Sequence, residues 1–111
     1  MIYFEKENQT FYLESKDVTY AFRVHELGFL NHLYYGKRIE REDLEFGVYT
    51  NVRGHGTNLP GRGRVDTMDI FHNECSTFGR SDYRESTLSF FDSVGVRVGD
   101  LKYLSHEILD K

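Results

Sequence analysis

The 111-residue sequence predicts an all-β fold, an antiparallel β-sandwich with little or no helix. Two features predict it. Aromatic residues make up 15% of the chain, nine Phe and eight Tyr, set among Val, Ile and Thr that suit a pleated, half-buried surface. Short apolar runs recur between Gly-, Asp- and Ser-containing breaks, and no capped amphipathic helix pattern stands out.

Each element follows from its local pattern. Residues 10–14 (TFYLE) form a short apolar-centred strand. In residues 17–25, Val18, Tyr20, Phe22 and Val24 alternate with Thr19, Ala21, Arg23 and His25. That period of two predicts a strand whose apolar face carries Val18, Tyr20, Phe22 and Val24. Glu14-Ser15-Lys16-Asp17 has the length and polarity of a hairpin loop. Gly28 ends the second strand, and residues 29–35 (FLNHLYY) start a third, which Gly36-Lys37 closes. Residues 38–45 (RIEREDLE) mix both charges and read as a solvated segment. Residues 46–52 are a weaker strand candidate, and 53–64, with four Gly and the single Pro, are the one long loop. Further on, 66–71 reads as a short strand and 78–85 as a polar bend. Residues 86–92 and 94–98 read as a hairpin turning over Asp92-Ser93-Val94-Gly95, and 102–109 as a closing strand.

Composition narrows the function. Fourteen basic against eighteen acidic residues give a formal charge of -4, which disfavours nucleic acid, because phosphate contacts need a basic surface. No apolar run approaches the ~18 residues of a membrane span. The first residues carry neither the basic nor the apolar region of a signal peptide. With one cysteine, Cys75, there is no internal disulfide to make, and a reducing, cytoplasmic setting is expected.

The candidate chemistry is incomplete. Gly56 and Gly61 have P-loop spacing, but Arg62 and Gly63 stand where the loop needs Lys and Ser or Thr. His25, His32, His55, His72 and His106 make no paired ligand spacing, and Cys75 has no second cysteine, so neither metal nor cofactor is expected. His72-Asn73-Glu74-Cys75 is compact, yet on a strand its side chains would diverge. Glu40, Glu42, Asp43, Glu45, Asp66 and Asp69 read as solvated carboxylates. Arg62, Arg64, Arg80 and Arg84, close in sequence to Asp66, Asp69 and Asp82, read chiefly as loop-fixing ion-pair partners. The sequon Asn8-Gln9-Thr10 has no consequence without secretion.

Three stretches carry a family resemblance: GFLNHLYYGK over 28–37; Met68-Asp69 through Asn73-Glu74 and Phe78-Gly79 to Asp82-Tyr83-Arg84; and DLKYLSHEI over 100–108. In that order they resemble the N-terminal domain of bacterial α-galactosidases of glycoside hydrolase family 36. The family patterns run G-Y-L-x-H-L-Y-x-G-K, S-L-D-x-x-x-Q-E-Y-P-x-Y-G-x-x-D-F-R and D-F-R-Y-x-S-H-E-I. Asn73, Cys75 and Ser76 depart from them, and the loop over 53–64 lacks the family's S-P-N-P run, which puts substrate range in question.

The resemblance implies that residues 1–111 are one domain, part of a β-supersandwich preceding a catalytic (β/α)8 barrel. The parent would hydrolyse terminal α-galactosides with retention, using two carboxyls about 5 Å apart, both in the barrel. No Asp or Glu of this chain is then catalytic. The implied roles are packing on the barrel, help in a homo-oligomer, and a border of the sugar pocket through Arg53, Arg64 and Asp69. Galactosides would be met only indirectly. A second reading is a self-standing carbohydrate-binding module with Tyr12, Tyr34, Tyr35, Tyr49 and Tyr83 as stacking platforms.

Overall fold

A computed structural model describes residues 1–47, 68–79 and 82–109. The chain divides into two compact units, Met1–Val48 with Lys102–Lys111, and Tyr49–Leu101.

The first unit is built on a four-stranded antiparallel meander in the order β1-β2-β3-β4. The strands are β1 (Ile2–Glu5), β2 (Thr10–Glu14), β3 (Val18–Val24) and β4 (Leu30–Lys37). The all-β class therefore holds, with 3-10 turns as the only helical elements among the described residues. The β2–β3 loop falls where Ser15 was expected to turn the chain. The Ser15 amide donates to the Val18 carbonyl at 2.9 Å, and its Oγ accepts the Val18 amide at 3.1 Å. Gly28, at φ 94°, makes the β3–β4 turn, with its amide 2.7 Å from the His25 carbonyl.

Strand β1 was not anticipated. It pairs Tyr3 with Tyr12 and Phe4 with Phe11, through a turn in which Gln9 takes the left-handed φ of 55°. Nothing in Lys6-Glu7-Asn8-Gln9 supplies the glycine that usually marks such a turn.

The period of two in β3 is correct, but the deepest burial lies on the other face. Thr19 and Ala21 are fully buried, whereas Val18, Tyr20, Phe22 and Val24 are only partly covered. The cause is the segment after β4. Residues Arg41–Gly47 form a 3-10 segment that places Leu44, 1% exposed, in one cluster with Tyr12, Ala21 and Leu33. The small Ala21 leaves the space that Leu44 fills. Expected as a solvated segment, 38–45 thus supplies the plug of the main core. A register shift between Ala21 and Phe22 lets both Leu33 and Tyr34 contribute to this face.

The opposite face is aromatic. Phe11 stacks on Phe22 with centroids 4.9 Å apart and packs tilted on Phe4 at 4.5 Å. His106 lies over both, 4.2 Å from Phe4 and 4.7 Å from Phe11. Residues 102–109 are held there as irregular chain, not as the expected strand. Their anchors are the Tyr103 amide on the Gly28 carbonyl at 2.7 Å and a 2.7 Å bond between the Tyr103 hydroxyl and His106 Nδ1. Side-chain contacts take the place of a ladder.

In the second unit the expected strand at 66–71 is replaced, where described, by a 3-10 turn at Met68–Ile70. One guanidinium gathers the carbonyls of Met68 and Phe71, which curls the backbone between them. Gly79 and Asp82 exchange two backbone bonds across the expected bend. The turn at 92–95 forms as expected: Asp92 Oδ1 accepts the amides of Val94 and Val96, and Gly95 sits at φ 85°. Its flanks, 86–92 and 94–98, do not form the expected hairpin strands; Leu88 makes an isolated bridge to Thr77. The strand candidate at 46–52 begins inside the first 3-10 segment, and its remainder, like the Gly-rich loop at 53–64, lies outside the described residues.

Candidate functional site

Of the three expected pocket-border residues, Arg53 and Arg64 lie outside the described residues. Asp69 belongs to the turn Met68–Ile70, and only its backbone is described. What fixes that backbone is plain. Arg84 Nη2 donates to the Met68 and Phe71 carbonyls, each at 2.9 Å, and to Asp82 Oδ2 at 2.9 Å. Its Nε donates to Asp82 Oδ1 at 2.9 Å. The Asp82 side chain is buried whereas that of Arg84 is 46% exposed, so the carboxylate end of this bidentate pair is shielded and the guanidinium end meets water. The expected loop-fixing role of arginine is realised here by Arg84. Its weight was not visible in sequence, because the two carbonyls it collects carry no sequence signature.

The tyrosines expected as platforms scatter. Tyr12 is buried in the core, and Tyr34 folds back over Gly36, its hydroxyl donating to the Lys37 carbonyl at 2.9 Å. A Cβ on Gly36 would lie 2.7 Å from the Tyr34 hydroxyl, so glycine is required for that approach. Tyr35 and Tyr83 are exposed, each edge-on to one ring, Tyr20 and Phe78 respectively. Tyr49 lies outside the described residues. Among the described residues no three His, Cys, Asp or Glu converge as a metal site, and Cys75 is an exposed free thiol.

A concave site assembles on the Leu44 side of the sheet. A cavity of about 350 Å³ is lined by Tyr3, Glu5, Asn8, Tyr12, Arg41, Glu42 and Glu45. Tyr3 and Tyr12 face each other across β1 and β2 with centroids 5.9 Å apart. The Arg41 guanidinium covers both rings, 4.3 Å from Tyr3 and 5.3 Å from Tyr12. It is held by Glu14, whose two oxygens accept from Nε at 3.2 Å and Nη2 at 2.9 Å. Hydrogen bonding to Arg41 keeps the Glu14 carboxyl below the usual carboxylate range, and the same pair raises the Arg41 pKa. Glu5 Oε2 accepts from Asn8 Nδ2 at 2.6 Å and from the Tyr12 hydroxyl at 3.1 Å. Burial, then Glu5, pushes the Tyr12 phenol upward, so it stays a donor at neutral pH. Arg23 ties the site to the sheet, donating to Thr10 Oγ1 at 2.8 Å and to Glu45 at 2.6 Å.

The fold and these sites define an all-β, aromatic-rich domain whose described residues present a small cavity and a braced turn. Comparison with known proteins is specific. Residues 28–111 match the model of the glycosyl hydrolase family 36 N-terminal domain. A bifunctional α-galactosidase/sucrose kinase of Mediterraneibacter gnavus is 30% identical over 109 residues, covering 96% of this chain and 12% of that protein. α-Galactosidase 1 of Pediococcus pentosaceus is 33% identical over 84 residues, covering 75% of this chain and 12% of its own length. The solved galactosidase domain of the α-galactosidase–sucrose kinase superposes with a TM-score of 0.85 at 29% identity, over 96% of this chain and 15% of that one. The chain belongs to the glycosyl hydrolase family 36 N-terminal domain family. Its all-β structure is consistent with that domain's β-sandwich, and it spans about an eighth of the length of these two relatives.

Proposed function

We propose that residues 1–111 are the beginning of the β-supersandwich domain of a cytoplasmic α-galactosidase, and that this portion does no chemistry itself. The match over residues 28–111, together with relatives that are α-galactosidases of much greater length, carries this reading. Retaining hydrolysis of terminal α-galactosides then belongs to a barrel elsewhere in the parent, which is also the domain's first partner. Exposed apolar side chains support a packing role: Leu104 is 92% exposed in the first unit and Val94 81% exposed in the second. Both want cover from the barrel or from a neighbouring subunit of a homo-oligomer. Arg53, Arg64 and Asp69 border the sugar pocket, with Arg84 bracing the turn that carries Asp69.

The test begins with the coding sequence beyond the Lys111 codon. An open frame leading into a barrel with a pair of carboxyls is expected; an immediate stop overturns the reading. In the product of that frame, Arg64→Ala and Asp69→Asn are expected to raise KM for raffinose several-fold. Unchanged KM in both removes the pocket-border role.

A further inference from the structure

We infer that residues 102–109 act as a strap that opens and recloses over the aromatic face as one piece, while the sheet beneath stays folded. The inference needs only the first unit and does not depend on the function proposed above.

Strap and sheet are held by different means. Strands β2 and β3 share a ladder over five residue pairs, from Thr10–Arg23 to Glu14–Thr19. Over residues 103–109 the only backbone bond among the described residues runs from the Tyr103 amide to the Gly28 carbonyl, at 2.7 Å. The rest of the hold is made by rings. His106 lies 4.2 Å from Phe4 and 4.7 Å from Phe11, and the Tyr103 ring lies 6.3 Å from Phe11. The Tyr103 hydroxyl and His106 Nδ1, 2.7 Å apart, join the two anchors to each other. Leu104, Ser105, Glu107, Ile108 and Leu109 are exposed and add little to the hold. Few buried contacts and an exposed backbone mark a segment that opens at a lower free energy than a laddered core. Because the anchors are joined, lifting His106 off Phe4 and Phe11 also loosens Tyr103, and the strap leaves as a unit.

The landing site is built for it. Gly28, at φ 94°, turns the chain between β3 and β4 and offers its carbonyl to Tyr103. Its missing side chain admits Lys102, whose Cβ a Cβ at position 28 would approach to 3.3 Å. Gly28 opens the first of the three family motifs, and Tyr103 and His106 belong to the third, so two motifs far apart in sequence meet at the anchor. Opening uncovers a defined surface. Phe11, 7% exposed in the closed state, sits between Phe4 and Phe22 with centroids 4.5 and 4.9 Å away. The closed strap keeps this row of rings from water.

The test is amide hydrogen exchange of the 111-residue chain, followed by NMR at rising urea below the unfolding transition. The Tyr103 amide is expected to exchange at least about tenfold faster than the slowest ladder amides of β2 and β3, with little dependence on urea, since a local opening exposes little surface. In His106→Ala the Tyr103 amide should exchange about two- to tenfold faster still, the loss of ring contacts, while the β2 and β3 amides keep their rates and report an intact sheet. Leu104→Ser, at an exposed side chain of the same strap, should change neither. Tyr103 exchanging as slowly as the ladder, with the same urea dependence, overturns the inference, because the strap would then open only with the whole unit. An unchanged Tyr103 rate in His106→Ala also overturns it, as does an equal acceleration in Leu104→Ser.

Discussion

Replacing Leu44 by alanine tests the largest departure from the sequence reading. Leu44 is 1% exposed and belongs to one cluster with Tyr12, Ala21 and Leu33. Truncation removes three carbons, about 2.4 kcal/mol of transfer free energy at roughly 0.8 kcal/mol for each. Ala21 and the backbone beneath cannot move up to fill the space, so a cavity term adds to this, for a total of about 3–4 kcal/mol. A domain of 111 residues has about 5–15 kcal/mol in all, so the variant should lose a large fraction of its stability. Urea unfolding followed by tyrosine fluorescence is suitable, because the chain has eight Tyr and no Trp. With m near 1–3 kcal/mol/M, the midpoint should fall by roughly 1–4 M. Glu42→Ala, exposed two residues earlier, serves as the control and should leave the midpoint nearly unchanged. A loss below about 1 kcal/mol for Leu44→Ala would refute the reasoning, since it would mean that residues 41–47 do not close the core.

The Glu14–Arg41 pair should show in the pH dependence. The folded-state pKa of Glu14 lies below its ordinary value of 4.5, so the pair's stabilisation is present above that pH and is lost as pH falls toward the folded value. Glu14→Gln should cost about 1–2 kcal/mol at pH 7, discounted for the partial exposure of Arg41, and should flatten the acid limb of a stability–pH curve. Gln9→Gly should stabilise by about 0.5–1 kcal/mol in the same urea assay, because Gln9 is held at φ 55° where glycine is unstrained. Arg84→Lys cannot reproduce the bonds to Met68, Phe71 and both Asp82 oxygens, and hydrogen exchange over 68–71 should accelerate several-fold.

Strand periodicity, the Ser15 and Gly28 turns and the Asp92–Gly95 turn were legible because each is decided locally, by alternation or by turn chemistry. The buried face of β3 was not. Alternation separates two faces, but which one lies deeper depends on what arrives from elsewhere, here Leu44 from a charge-rich segment. Two apolar residues, Ile39 and Leu44, five positions apart in an otherwise charged segment match neither a helical nor a strand period. Strand β1 was hidden for a related reason: four residues with a turn lacking glycine fall below what alternation can establish. The closing strand was misread because Tyr103 and His106, both within the family pattern over 100–108, act through their rings on Phe4 and Phe11, not through a backbone ladder. The resemblance of three ordered motifs identified the family where residue chemistry alone did not, because no single spacing in the sequence spells a complete catalytic or metal pattern. The Tyr3–Arg41 cavity escaped notice because its seven residues come from three segments spread between Tyr3 and Glu45.

The central claim is that this portion of the family belongs to a glycosidase without performing the hydrolysis. Its most direct test is release of nitrophenol from p-nitrophenyl α-galactopyranoside by the purified 111-residue chain, with the product of the extended reading frame measured beside it. The claim predicts no release above buffer from the chain alone and robust turnover from the longer product. Turnover by the chain alone that persists through successive purification steps at constant specific activity would contradict it.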